Sequence, residues 1–133
     1  MKNQSIKERN VIWRGSSLKD LSSFHENVKR KIGYLLWVMQ KGGMHSNIKA
    51  LKGFSNDGVY ELIAEVDKDT YRTVVAIKIA EEIYVLHCFK KKSKKGVSTP
   101  KNDIDLIKRR LIRVKKEMEN ESNKNQSRKR RKN

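Results

Sequence analysis

The residues best suited to chemistry in this sequence are cationic. Five lysines fall within the six residues Lys90 to Lys95, in "FKKKSKKG", directly after an apolar run. Lysines at that density repel one another unless an anion is near, and a strand that ends in them fixes the first ones in space. The block therefore reads as polyanion-binding, against the plain alternative of a solvated loop. Arg72 stands early in "YRTVVAI". An arginine inside a strand is either an edge residue reaching water or part of a functional concave face. Glu61 and Glu65 share one face of "GVYELIAEV". They are a general base and its neighbour, or the polar side of an amphipathic strand; for Glu65 the second reading leads. His87 sits in the apolar run "IYVLHCF", where a lone histidine is more often structural than catalytic. Neither His25 nor His45 stands at ligand spacing with it, so no metal site is expected. No glycine-rich phosphate loop, nucleophile elbow or helix-turn-helix signature is present.

Composition agrees with the cationic motifs. The chain has 133 residues, enough for one small domain, with 32 Lys+Arg against 15 Asp+Glu and a formal net charge of +17. That imbalance calls for an anionic partner: nucleic acid, an acidic protein or an anionic surface. One cysteine, Cys88, excludes an internal disulfide and a cysteine-built zinc site, and its apolar surroundings suggest a buried thiol in a reducing compartment. The N-terminus "MKNQSIKERN" has no apolar segment behind it, and stretches such as "YLLWVM" are too short to span a bilayer. A cytoplasmic protein without a membrane partner is expected.

The elements that must position these groups follow from periodicity. "VIW" (Val11 to Trp13) reads as a short strand. Leu18, Leu21, Phe24, Val28, Ile32, Leu35, Leu36 and Met39 recur at helical steps, started by Ser16 or Ser17 and stopped by "KGG", with Gly33 as a kink or break. Three β-rich runs follow with short connections: "GVYELIAEV", "TYRTVVAIKI" and "EIYVLHCF" make an antiparallel meander. Strict alternation puts Arg72, Val74, Ala76 and Lys78 on one face of the second run. In the third it groups His87 with Ile83, Val85 and Phe89, opposite Tyr84, Leu86 and Cys88. After the lysine block, Thr99 and Pro100 or Asp103 open a second helix with the apolar stripe Ile104, Ile107, Leu111, Val114 and Met118. Its other faces are basic and include Arg109. Residues 1–10 read as a flexible N-terminus, 11–118 as the domain, and 119–133, which lacks apolar residues, as a disordered basic tail.

Three pieces, "GVYELI", "YRTVVAI" and "YVLHCFKKKSKKGVSTPKNDIDLIKRRL", make this order recognisable. The chain resembles the phage-related branch of the RelE/HigB-like toxins of type II toxin–antitoxin systems, over roughly Val11 to Met118. The last piece is the most specific: a strand, "LH.F.KK", "TP", then a helix with a basic patch. The resemblance implies a small α+β fold of the RelE/ParE-like kind: an antiparallel sheet with N-terminal helices on one face, a C-terminal helix and a concave basic face. It implies a ribosome-dependent messenger-RNA endoribonuclease that uses no metal or small-molecule cofactor. Its partners would be the ribosome, mRNA and a cognate antitoxin.

Carried over residue by residue, the resemblance assigns Arg72 to the scissile phosphate and Lys90, Lys91 and Lys92 to the same cleft, with Lys91 among the catalytic residues. Lys94, Lys95 and Arg109 would extend the grip on RNA. The branch often shows "ELR" where this chain has Glu61, Leu62 and Ile63, so the missing base leaves Glu61 as candidate general base. RNA supplies its own nucleophile in the 2′-hydroxyl. The protein must orient it, stabilise charge on phosphorus and move protons, and arginine's planar fork suits the phosphate oxygens. Two alternatives remain: a ParE-like toxin of the same fold that inhibits a topoisomerase, and a nucleic-acid-binding protein without enzymatic activity.

Overall fold

The computed structural model describes residues 8–54, 57–77, 79, 81–91 and 99–131, with side chains through 126. The fold is α+β. The elements in chain order are β1 (Val11–Trp13), α1 (Ser17–Ser22), α2 (Glu26–Gln40), β2 (Ile48–Ala50), β3 (Val59–Val66), β4 (Asp69–Ala76), β5 (Ile83–Lys91) and α3 (Lys101–Arg131). The strands form one five-stranded sheet in the order β1-β5-β4-β3-β2. The expected meander β3-β4-β5 is antiparallel, and β2 extends it. The edge strand β1 pairs parallel with β5, which makes the sheet mixed. Asp67 and Lys68 link β3 to β4 with φ of 51° and 69°. Two successive positive φ values mark the tight turn whose twist suits a two-residue hairpin.

Two apolar layers cover the sheet. Against one face, α1 and α2 bring Leu21, Val28, Ile32, Leu35, Leu36 and Met39 onto Leu62, Ala64, Val75, Val85 and Cys88. Against the other, α3 seats Ile107, Leu111 and Val114 on Val59, Val74, Ala76, Tyr84 and Leu86. Arg110 bolts α3 down by donating to the Leu86 carbonyl at 2.7 Å and to Ser16 Oγ at 3.1 Å. A Cβ on Gly15, whose φ is +53°, would sit 2.7 Å from that guanidinium, so glycine is what admits it. Among the described residues, no helix is long and apolar enough to cross a membrane.

Four differences from the sequence reading have physical causes. The N-terminal helical stretch breaks at Ser23–His25 and not at Gly33, because Ser23 folds back onto the carbonyls of Lys19 and Asp20 and His25 caps the next helix. Strand β2 was not foreseen; its three residues are too few to show a period. In β5 the alternation shifts at a bulge: Val74 pairs with His87 but Val75 with Val85, leaving Leu86 extra. His87 and Phe89 therefore join Arg72 on the α3 face, while Cys88 joins Val85 on the α2 face. Finally, α3 continues past Met118 to Arg131, over the segment read as a tail; no glycine or proline interrupts it.

Candidate functional site

Cross-strand register assembles a polar row on the α3 face of the sheet. Residues directly opposite in a pair point to the same side. Lys49 lies opposite Glu61, Glu61 opposite Val74, Val74 opposite His87, Arg72 opposite Phe89, and Thr70 opposite Lys91. Lys49, Glu61, Arg72, His87 and Lys91 thus share one face, beyond the apolar ground that α3 covers. Above them lies an open groove of about 590 Å³. Its walls include Lys49, Lys52, Phe54, Glu61, Arg72, Thr99, Ile104 and Lys108.

The centre of the groove is an ion pair. Arg72 Nη1 donates to Glu61 Oε2 at 2.6 Å, with both side chains largely buried. Thr99 Oγ1 reaches the same oxygen at 3.4 Å. The pair fixes the plane of the guanidinium fork, which a single long side chain could not hold in water without entropic loss. Arg72 Nε is buried and has no hydrogen-bond partner among the described residues. Lys91 is only 3% exposed, and its Nζ is likewise unpartnered among them. Burial, then the nearby Arg72 charge, pushes the Lys91 ammonium below the ordinary lysine value, while Glu61 pulls it part of the way back. Two cations share one buried floor with a single carboxylate. That arrangement favours an anion with several acceptor oxygens.

His87 closes the row on the other side. Its Nε2 lies 2.7 Å from Asp103 Oδ1 in the first turn of α3, and its ring stacks on Phe89 at 4.9 Å. This contact ties the start of α3, and with it Thr99 and Ile104, to β5. The arrangement is the structural role expected for a strand histidine, on the opposite face from the one strict alternation gives.

The structure brings some of the expected site residues together and separates others. Arg72, Glu61 and Lys91 meet on one face. Lys90 points the other way: it lies opposite Tyr71, 3.0 Å from Asp69 and above the Tyr71 ring. Arg109 is exposed on α3 and does not line the groove; its neighbour Lys108 does. Lys92, Lys94 and Lys95 lie outside the described residues. Lys49, Lys52 and Lys108 were missed. Recognising β2 would have set Lys49 beside Glu61, and one step along the Ile104–Ile107–Leu111 stripe leads to Lys108. Cys88 is a buried core thiol as expected. It accepts from Thr73 Oγ1 at 3.3 Å, and burial pushes it up to about 11.

No curated protein matches the chain. The family model described as "Phage derived protein Gp49-like (DUF891)" matches residues 19–112, from within α1 to the middle of α3, so it takes in the whole of α2, strands β2 to β5 and every groove residue named above. The chain belongs to the Gp49-like family of phage-derived proteins.

Proposed function

We propose that this protein is the toxin of a type II toxin–antitoxin system and cuts messenger RNA on the ribosome by attack of a 2′-hydroxyl on the adjacent phosphorus. Membership of the Gp49-like family supports a toxin-like role, and the RelE/HigB-like resemblance supports the reaction. The observation that carries the reading is Arg72: a guanidinium oriented by Glu61, in an open groove rimmed by Lys49, Lys52 and Lys108, beside a buried Lys91 that has no partner among the described residues.

In this reading Arg72 and Lys91 hold the nonbridging oxygens of the scissile phosphate as charge builds on phosphorus. Glu61 keeps the arginine fork in place through Oε2. Its Oε1 accepts no hydrogen bond among the described residues and takes the proton from the 2′-hydroxyl. The 2′-oxygen–phosphorus bond forms and the bond to the 5′-oxygen breaks, leaving a 2′,3′-cyclic phosphate. The departing 5′-oxygen gains a proton, for which the acidified Lys91 ammonium is the nearest source in chemical terms. The basic groove rim holds RNA electrostatically, and a cognate antitoxin keeps the toxin silent.

The test is cleavage of a defined messenger by purified protein, with and without translating ribosomes. Cuts that require ribosomes support the reading. Cuts in naked RNA remove the ribosome from it. Growth arrest with DNA damage and intact messenger points instead to topoisomerase inhibition.

A further inference from the structure

We infer that the outer side of α2 is a second nucleic-acid site, a stacking strip for single-stranded RNA bases on the opposite side of the sheet from the groove. Helix α2 turns Leu35, Leu36, Val38 and Met39 inward. Among its exposed residues, Arg30, Tyr34 and Trp37, with Lys41 at the C-cap, are spaced four, three and four apart and so align in one row. Tyr34 and Trp37 are each 52% exposed and stack on one another at 6.0 Å. His45 meets the Tyr34 ring edge-on at 5.9 Å, and Lys41 Nζ lies 5.9 Å from the Trp37 ring centre while also pairing with Glu8. The row alternates cation, ring, ring, cation. Exposed π-faces interleaved with positive charge are what single-stranded nucleic acid uses: bases stack and phosphates find counter-charge.

A second observation points to a ligand. Gly33 stands in the middle of α2, against helix propensity, and no packing requires it: a Cβ there would meet nothing within 4 Å. Gly33 is one helical turn from both Arg30 and Trp37, so its missing side chain leaves a flat shelf beside the indole. The open space over Gly33 lets a flat ring approach the backbone closely.

Charge and composition choose the occupant. Arg30 and Lys41 flank the rings in a chain of net charge +17, which favours an anionic partner. The aliphatic residues of α2 are spent on the core, and the strip offers rings and cations without the apolar ridge that an amphipathic protein helix needs. A groove lined by Arg30, Lys31, Tyr34, His45 and Asn47 leads from the strip to the sheet edge. There Asn47 runs into β2, whose Lys49 lies in the catalytic groove. A strand stacked on α2 has a basic path round that edge. The inference goes beyond RNA cleavage and does not depend on it.

The experiment uses the full chain, a fluorescently labelled single-stranded oligoadenylate, and an abasic ribose-phosphate strand of the same length. Trp37→Ala is expected to weaken oligoadenylate binding roughly tenfold, in wild-type and Arg72→Ala backgrounds alike. Trp37→Phe should keep most of the affinity but lose the tryptophan quenching that binding causes. Gly33→Gln should raise the Tm while weakening binding at least about threefold. The abasic strand should not distinguish wild type from Trp37→Ala. Oligoadenylate affinity unchanged in both Trp37→Ala and Gly33→Gln overturns the proposal. So does quenching by polyglutamate as strong as by oligoadenylate, which would assign the strip to an acidic protein segment.

Discussion

The two faces of the sheet obey different rules. On the α2 face Leu62, Ala64, Val75 and Val85 pack against the helix, and the buried hydroxyl of Thr73 donates to Cys88. On the α3 face the apolar ground of Val74, Leu86, Ile107 and Leu111 gives way to Glu61, Arg72, His87 and Lys91. Among the described residues, the buried side-chain nitrogens without a partner are Arg72 Nε, His87 Nδ1 and Lys91 Nζ, all on this second face. Each such group costs about 1–3 kcal/mol relative to a satisfied one. One face holds the fold together, and the other holds cations in place at the expense of stability.

The largest effect that separates the faces is on the α2 side. Leu62 is fully buried, and Leu62→Ala should lower stability by about 2–5 kcal/mol, read by denaturant unfolding, with RNA affinity per folded molecule unchanged. On the other face the sign reverses. Lys91→Met should raise stability by about 1–2 kcal/mol, because it removes a buried charge without a partner among the described residues, while cleavage falls.

The Lys91 contribution also depends on pH. Its folded pKa lies below the unfolded value of about 10.4, so in that interval the unfolded chain binds more protons. Wild-type stability should therefore rise with pH there, and the gap to Lys91→Met, widest near neutral pH, should narrow. A constant gap would mean that Lys91 is not held in a desolvated site.

Smaller effects sharpen the boundary of the groove. Lys108→Ala should reduce RNA affinity and its salt dependence measurably more than Arg109→Ala, although the two lysine and arginine positions are adjacent in sequence. Lys90→Ala should change cleavage least, within about threefold, because Lys90 faces Tyr71 and Asp69. An effect of Lys90→Ala as large as that of Lys91→Met would erase the distinction between the faces.

Much of this was legible in the sequence. The alternation of β3 and β4 sorted Leu62 and Ala64 from Glu61, and Val75 from Arg72 and Val74, because period two is a local property of an extended chain. The stripe Ile107–Leu111–Val114 announced α3 in the same way. What was illegible depends on tertiary pairing. The bulge at Leu86 has no local mark, yet it decides which face receives His87, Phe89 and Lys91 and so which of Lys90 and Lys91 shares a face with Arg72. Lys49 and Lys108 belong to the site only because β2 pairs with β3 and α3 crosses the sheet. The ion pair of Arg72 and Glu61 joins positions that neither strand reveals alone, although a two-residue turn at Asp67–Lys68 fixes their register once it is recognised.

The central claim is that Arg72, in the groove of the α3 face, acts on messenger RNA. The direct measurement is the mapping of messenger 5′ ends after brief induction of wild type and Arg72→Ala at equal protein levels. New ends within translated regions are expected for wild type, with their loss by at least about a hundredfold for Arg72→Ala. The same ends in both, or growth arrest by wild type with messenger intact, would contradict it.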